Sequence, residues 1–333
     1  MKQPLHYFTG RIILSSLFCI FLSHRSESQH LMFGNEKTKW EAGVNFGPSF
    51  FLGDLGGNAG KGTRFVKDVN LQFTKLMKGA FITMYPNSIL GFRIAADYTF
   101  LEGDDAVINT TGINELWRKQ RNLNFRTDIW EVNACLEVYP TMIFNKRDPE
   151  NQPRLRPYGL IGLGIFHFNP QGSLSDASGN KTWYNLQPLK TEGEGMAEYP
   201  NIKPYKLTQL NIPMGGGIKY FISERFNVGM EFLYRKTFTD YIDDVSKNYI
   251  DPANFIKYLP QQEAALAKQL SDKAIGIIYP GMTRYEPGTQ RGDSKQADTY
   301  FSLIAKIGIQ LGPVYENSFA RRAARQTRCP SVY

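Results

Sequence analysis

Few residues in this sequence have the types and spacing that chemistry demands. Beyond residue 28 there are two histidines, His30 and His167. His167 falls near the end of an alternating segment, where a barrel protease or acylase could use it as a general base. That role needs a partner within hydrogen-bond reach, and a solvated rim histidine is the simpler expectation. No set of Cys, His and carboxylates shows metal-ligand spacing, so neither a metal nor any other cofactor is expected. The run Gly56-Gly57-Asn58-Ala59-Gly60-Lys61-Gly62-Thr63 has the look of a phosphate-binding loop. Its lysine is followed by Gly62 instead of Ser or Thr, and no helix pattern follows, so it reads as a loop tip. Gly162-Leu163-Gly164 lies inside a strand pattern and marks close packing, not a dinucleotide fingerprint. Arg291-Gly292-Asp293 could be read as a cell-adhesion tripeptide. With acid–base partners missing, the chain is not expected to be an enzyme, and no catalytic residue is assigned.

The chemistry that remains is charge set into apolar–polar alternation. Glu41, Asp97, Glu131, Glu137 and Glu231 are acidic; Arg93, Lys219, Arg235 and Lys306 are basic. Each sits on the polar face of a segment of period two. If those faces line one enclosed space, unpaired charges there would be costly. The near balance of sign therefore predicts pairing across a lumen. A lumen plugged in this way conducts little, which argues against a porin.

The elements that must carry these charges are eight alternating segments: 38–53, 72–85, 89–101, 125–139, 155–168, 207–222, 226–239 and 298–311. In the fourth, Trp130, Val132, Ala134, Leu136 and Val138 oppose Glu131, Asn133, Cys135 and Glu137. In the seventh, Val228, Met230, Phe232 and Tyr234 oppose Asn227, Glu231 and Arg235. The second is weakest, because Lys78 falls on its apolar face. A soluble sandwich also alternates, but its strands average only about five or six residues. Aromatics gather near the segment ends, as membrane girdles do: Trp40, Phe50, Phe51, Tyr85, Phe100, Tyr139, Phe168, Tyr220 and Tyr300. Connections 54–71, 102–124, 169–206 and 240–297 are long, while 86–88, 140–154 and 223–225 are shorter. Short turns at one rim and long loops at the other is the outer-membrane pattern. The expected fold is an all-β, eight-stranded antiparallel transmembrane barrel over 38–311, its lumen filled by side chains. The last long loop should carry a helix near 252–274, interrupted at Pro260.

Composition agrees. Charged residues are 21% and aromatics 14% of 333 residues, too few charges and too many rings for a disordered tail protein. Mean hydropathy is −0.36, which makes a helical membrane protein a poor fit. Residues 1–28 read as a secretory signal: Lys2 and Arg11 precede the short apolar run Ile12–Leu22, and Ser26-Glu27-Ser28 precedes a plausible cut. Lipidation at Cys19 is disfavoured by the bulky Phe18 before it. Residues 29–37 form an N-terminal segment, and 312–333 a polar tail. Both ends are expected in the periplasm of a Gram-negative bacterium. The net charge is +8. Basic residues are scattered except in the tail, where Arg321, Arg322, Arg325 and Arg328 cluster beside Cys329. No basic face or reading motif for nucleic acid is found, and no small-molecule substrate is implied.

One segment is distinctive. After the seventh strand the chain reads Tyr234-Arg235-Lys236-Thr237-Phe238-Thr239-Asp240-Tyr241-Ile242-Asp243-Asp244-Val245-Ser246-Lys247-Asn248-Tyr249. It resembles the signature of PorG-like outer-membrane barrels of Bacteroidota, components of type IX secretion. Phe51-Leu52-Gly53-Asp54-Leu55, Arg291-Gly292-Asp293 and Asp298-Thr299-Tyr300 resemble weaker family steps. The likeness covers about residues 38–311, and the chain departs from the family in its longer loop 169–206 and in its basic tail. From the residues themselves, Asp240, Tyr241, Asp243 and Asp244 crowd one rim, where Arg291 could reach them as a loop clamp. A Ca²⁺ site or a docking surface are the alternatives.

The resemblance implies a non-enzymatic component that anchors a periplasmic PorK–PorN-like ring at the outer membrane. The expected partners are those ring proteins and outer-membrane lipid. The contact would run through the turn 141–154 and the tail, with Arg321, Arg322, Arg325 and Arg328 meeting an acidic patch or Cys329 forming an intermolecular disulfide. The alternative is a generic outer-membrane barrel whose loops bind or adhere.

Overall fold

The structure, a computed structural model, describes residues 38–55, 73–108, 112–144 and 153–311. Eight long strands close into one antiparallel barrel: β1 (Lys39–Leu52), β2 (Lys75–Tyr85), β3 (Leu90–Asp104), β4 (Asn124–Val138), β5 (Leu155–His167), then β8 (Thr208–Phe221), β9 (Phe226–Thr237) and β10 (Thr299–Leu311). Each pairs with the next, and β10 returns to β1, from Trp40 opposite Leu311 to Leu52 opposite Thr299. No barrel edge is left open, which is how a sheet satisfies its backbone without water.

Alternation decides which residues face the lumen. On β4, Glu131, Asn133, Cys135 and Glu137 are buried, while Trp130 and Val132 stand 61% and 51% exposed. Leu163 and Met230 are exposed to 71% and 72%. A continuous exterior of exposed apolar side chains around a charged interior is the inverse of a soluble core, and it is what lipid requires. From Trp130 to Val138, β4 offers about the 9–11 residues a tilted strand needs to cross a bilayer.

Lys78 marks where this belt ends. Its ammonium lies 5.4 Å from the centre of the Tyr98 ring. Tyr98 packs at 4.7 Å on Trp130 and donates its hydroxyl to Asp128. In register, Lys78 faces Tyr98, Tyr98 faces Trp130, and Trp130 faces His167. The residue that weakens the second segment's pattern therefore joins a polar and aromatic band, where a long amphipathic side chain can snorkel.

The girdle is smaller than the sequence suggests. Trp40 and Tyr220 do face outward. Phe50 lies flat on Phe301 at 4.8 Å, and the two rings shield each other. Tyr139, Phe168 and Tyr300 are buried instead, because they sit on the inward parity or in the cap and fill space there.

The described parts of the long connections fold over one rim as a cap. The connection after β3 holds a helix, Ile113–Arg121, closed by Asn122 in the left-handed region. The one after β5 holds a hairpin, β6 (Gln171–Ser175) with β7 (Lys181–Asn185), hung from β4 by the pair Arg126–Gln171. Neither was expected. The last connection has helices at Phe255–Tyr258 and Gln261–Leu270, broken where Pro260 takes extended backbone angles. Leu55, Phe125, Phe166, Phe168, Ile242, Val245 and Tyr300 pack into an apolar stopper between cap and lumen. At the opposite rim, Pro140–Phe144 forms a single helical turn.

Candidate functional site

The nine lumen charges lie on six of the eight strands, and each is no more than 5% exposed. They form two connected groups. Toward the short-turn rim, Glu231 accepts both arms of the Arg93 guanidinium at 2.6 and 3.1 Å, Lys306 at 3.1 Å and the Tyr158 hydroxyl at 2.5 Å. Glu137 sits 3.1 Å from Arg93 and 3.5 Å from Lys306, and takes the Tyr139 hydroxyl at 2.5 Å. Lys219 donates to both oxygens of Glu41 and to Tyr85. Toward the cap, Arg235 reaches Glu131 at 2.8 Å and Ser302 at 2.5 Å, with Asp97 at 4.0 Å. Asp97 is held by Asn45 and Asn133. Arg235 thus pairs across the barrel, not with its strand neighbour Glu231. Forked and multiply bonded geometry of this kind is what makes buried ion pairs tolerable. A lumen filled this way is a structural brace.

The second cluster is in the cap. Arg291 is 3% exposed and donates to Glu192 at 2.9 Å, to the carbonyl of Asp244 at 2.5 Å and to that of Ser271 at 3.1 Å. Its guanidinium lies 3.8 Å from the Asp244 carboxylate. Asp244 sits at φ 64°, a left-handed position that Asp tolerates. Thr191 and Tyr205 donate to its carboxylate at 2.5 and 2.6 Å. Tyr241 stacks on Tyr205 at 4.6 Å. Arg291 does not serve Asp240 or Asp243. Asp243 instead accepts the backbone N–H of Leu55 and of Val245, both at 3.0 Å. These two carboxyls group with Asp54 and Asp298: after burial, Asp54 and Asp240 raise Asp243, and Asp243, Asp240 and Asp54 raise Asp298.

Three members were not foreseen. Glu192 accepts the N–H groups of Ser246 and Lys247 as well as Arg291. Arg121 grips Asp105 at 2.7 and 3.1 Å and donates to the carbonyls of Asp54 and Arg291. Glu194 lies buried beside Glu192, and its carboxyl is pushed up to about 8, by burial first and then by Asp244 and Glu192. A signal existed: Glu192-Gly193-Glu194-Gly195 alternates carboxyls with glycines at φ 84° and 76°, a tight turn that drives acid groups inward.

Other sequence candidates separate here. Arg291-Gly292-Asp293 cannot be displayed for adhesion, because Arg291 is buried and a Cβ on Gly292 would lie 2.7 Å from the backbone nitrogen of Ser246. Gly162 is a close-packing position, since a Cβ there would meet the Ala134 carbonyl oxygen at 2.1 Å. His167 contacts Thr208 at 3.0 Å at the exposed rim. Cys135 is buried and free. No group of three or more His, Cys, Asp or Glu among the described residues is arranged to hold a metal ion, so the Ca²⁺ alternative has no ligand set there. Arg321, Arg322, Arg325, Arg328 and Cys329, the signal segment 1–28 and the Gly56–Thr63 run lie outside the described residues.

No protein-family model matches the chain, and no curated protein sequence does. Among solved structures, it is similar to Ail, the attachment invasion locus protein of Yersinia pestis, at 9% identity and TM-score 0.32, covering 82% of this chain and 99% of that one. Neisserial surface protein A matches at 8% identity and TM-score 0.33, covering 82% and 99%. A major outer membrane protein of Thermus thermophilus matches at 8% and 0.36, covering 83% and 100%. The barrel itself rests on the strand register given above, not on these likenesses.

Proposed function

We propose that this chain is a non-enzymatic outer-membrane component of a type IX secretion machine, one that anchors a periplasmic ring through its short-turn rim and tail. The observation that carries the reading is the run Tyr234–Tyr249, which resembles the PorG-like signature over a long, specific stretch. Its residues also make the centre of the cap: Asp243 ties to Leu55, Asp244 to Thr191 and Tyr205, and Ile242 and Val245 enter the stopper. A long motif spent on closing a lumen suits a scaffold better than a channel. The apolar exterior supports an outer-membrane position; the reading places the short turns and both termini on the periplasmic side, by the usual pattern of such barrels. The PorK–PorN-like ring is the partner in this reading, met through the connection 141–154, which opens on the turn Pro140–Phe144, and through the basic tail.

Deletion of the gene followed by assay of secreted cargo tests the role, and normal secretion would remove it. Affinity purification of the tagged barrel should bring down ring proteins. Non-reducing electrophoresis of native membranes, wild type against Cys329→Ser, tests the disulfide; identical bands would refute that bond.

A second reading, a barrel that binds through its loops, is favoured by one observation. A cleft of about 520 Å³ lies among Tyr199, Lys247, Tyr249, Gln290 and Lys295, within the size range of ligand pockets. Intact secretion combined with loss of surface binding on deletion would select it.

A further inference from the structure

We propose that the cap carries a proton-held latch: Asp54 at the end of β1, Asp240 and Asp243 just after β9, and Asp298 just before β10 hold one another through shared protons, closing the cap while protonated and loosening it when the protons leave.

Buried carboxyls gather here with Arg121 close enough to lower Asp54 and Asp243, yet burial and like charge outweigh it at both. Asp243 and Asp298 are no more than 1% exposed. Asp54 accepts the N–H of Asp293 at 2.7 Å, and Asp298 that of Ile242 at 2.8 Å. These bonds tie three separate stretches of chain to one spot. The nearby guanidiniums are committed elsewhere: Arg121 to Asp105 and two carbonyls, Arg291 to Glu192 and two carbonyls. Oδ1 of Asp298 and Oδ2 of Asp240 are buried without a hydrogen-bond donor. An orphaned, charged carboxylate oxygen among like charges is doubly costly. A proton removes both costs, because it cancels a charge and turns an acceptor into a donor for its neighbour. Like-charged carboxyls that share a site hold a proton far above their ordinary range.

The surroundings push the same way. Burial is the largest cause raising Asp243 and Asp298, followed by their fellow carboxyls. Burial also raises Asp54, which Glu192 and Asp293 raise further and Arg121 lowers. Asp240 is pushed up to about 8, with Lys247 and Ser246 opposing burial, Asp54 and Glu192. The sign follows. Groups raised in the closed cap stabilise it fully below the ordinary carboxylate range. That stability declines as pH climbs toward the folded value and is gone above it. Each released proton changes the opening equilibrium by up to about tenfold per pH unit.

The test is hydrogen exchange by mass spectrometry on the full chain in detergent micelles, between about pH 5 and 9 with intrinsic rates divided out. Amides of 240–250 and 291–298 should open with rising pH, by up to about tenfold per pH unit for each proton released across that range. Strand amides of β4 should stay flat. Asp298→Asn should shallow the slope and keep the cap protected at high pH. If that variant fails to close, the half-buried Asp240→Asn reads the same slope. A flat profile in the wild type, or an unchanged slope in Asp240→Asn, overturns the latch. Protection that responds at fixed pH to Ca²⁺ or to a chelator also overturns it, by putting a cation where the protons are placed.

Discussion

Glu231→Ala is the sharpest test of the lumen. In the folded barrel the Glu231 carboxylate takes four donated bonds, two from Arg93 and one each from Lys306 and Tyr158. Its removal leaves two cations sharing the single carboxylate of Glu137, at 3.1 and 3.5 Å. The local balance changes from neutral to one uncompensated positive charge. Breaking one partner of a buried pair costs about 3–5 kcal/mol, and the desolvated second cation places the expected loss toward the upper end. Replacing the pair together, Arg93→Met with Glu231→Leu, restores neutrality. Because a buried ion pair exchanged for apolar groups is often neutral or better, the double variant should recover most of the loss. The assay is urea unfolding of the barrel in lipid vesicles, read by tryptophan emission and by heat-modifiable migration on gels, with Arg93→Met and Glu231→Leu made singly as well as together to close a double-mutant cycle. A loss of under about 1 kcal/mol for Glu231→Ala is the value of an exposed pair. It would refute a closed, dry lumen and with it the brace.

Other consequences are checked more simply. Met230→Arg places a charge on the exposed belt and should cost about 2–4 kcal/mol in vesicles if that position lies near the bilayer midplane; a neutral effect would remove lipid from the account. Arg291→Ala should strip Glu192 and Asp244 of their cation and open the cap to protease while the barrel stays folded; an equally resistant cap would show that the clamp is idle. Gly292→Ala sets a Cβ 2.7 and 2.8 Å from Ser246 backbone atoms and should weaken the cap by about 1–3 kcal/mol, measured as faster exchange of 246–250. In planar bilayers the purified barrel should show no steady open-channel conductance, and a persistent ohmic current would contradict the plugged lumen.

Much of the barrel was legible because period-two alternation is a local property. Eight segments, their inward charges and their uneven connections can be read without knowing which strand meets which. The break at Pro260 was legible for the same reason, since a ring that lacks an N–H acts on its own residue. The helix Ile113–Arg121 and the hairpin β6–β7 were not. Both are short, polar and stabilised by docking: Gln120 of the helix accepts the N–H of Ile278, and Lys273 donates to the carbonyl of Ser173. Local propensity over so few residues is too weak to declare such elements.

Strand parity alone puts nine charged groups, nearly balanced in sign, toward one enclosed space, because a pleated strand leaves no other choice once the apolar face is outside. It does not determine their partners. Arg235 joins Glu131, far along the chain, while Glu231, close by on the same strand, joins Arg93 and Lys306. The same holds in the cap, where Arg291 finds Glu192 from another loop, and Asp240 and Asp243 gather with Asp54 and Asp298. Parity is fixed by backbone geometry within one strand, whereas pairing depends on closure, tilt and register, and those exist only when all eight strands have met.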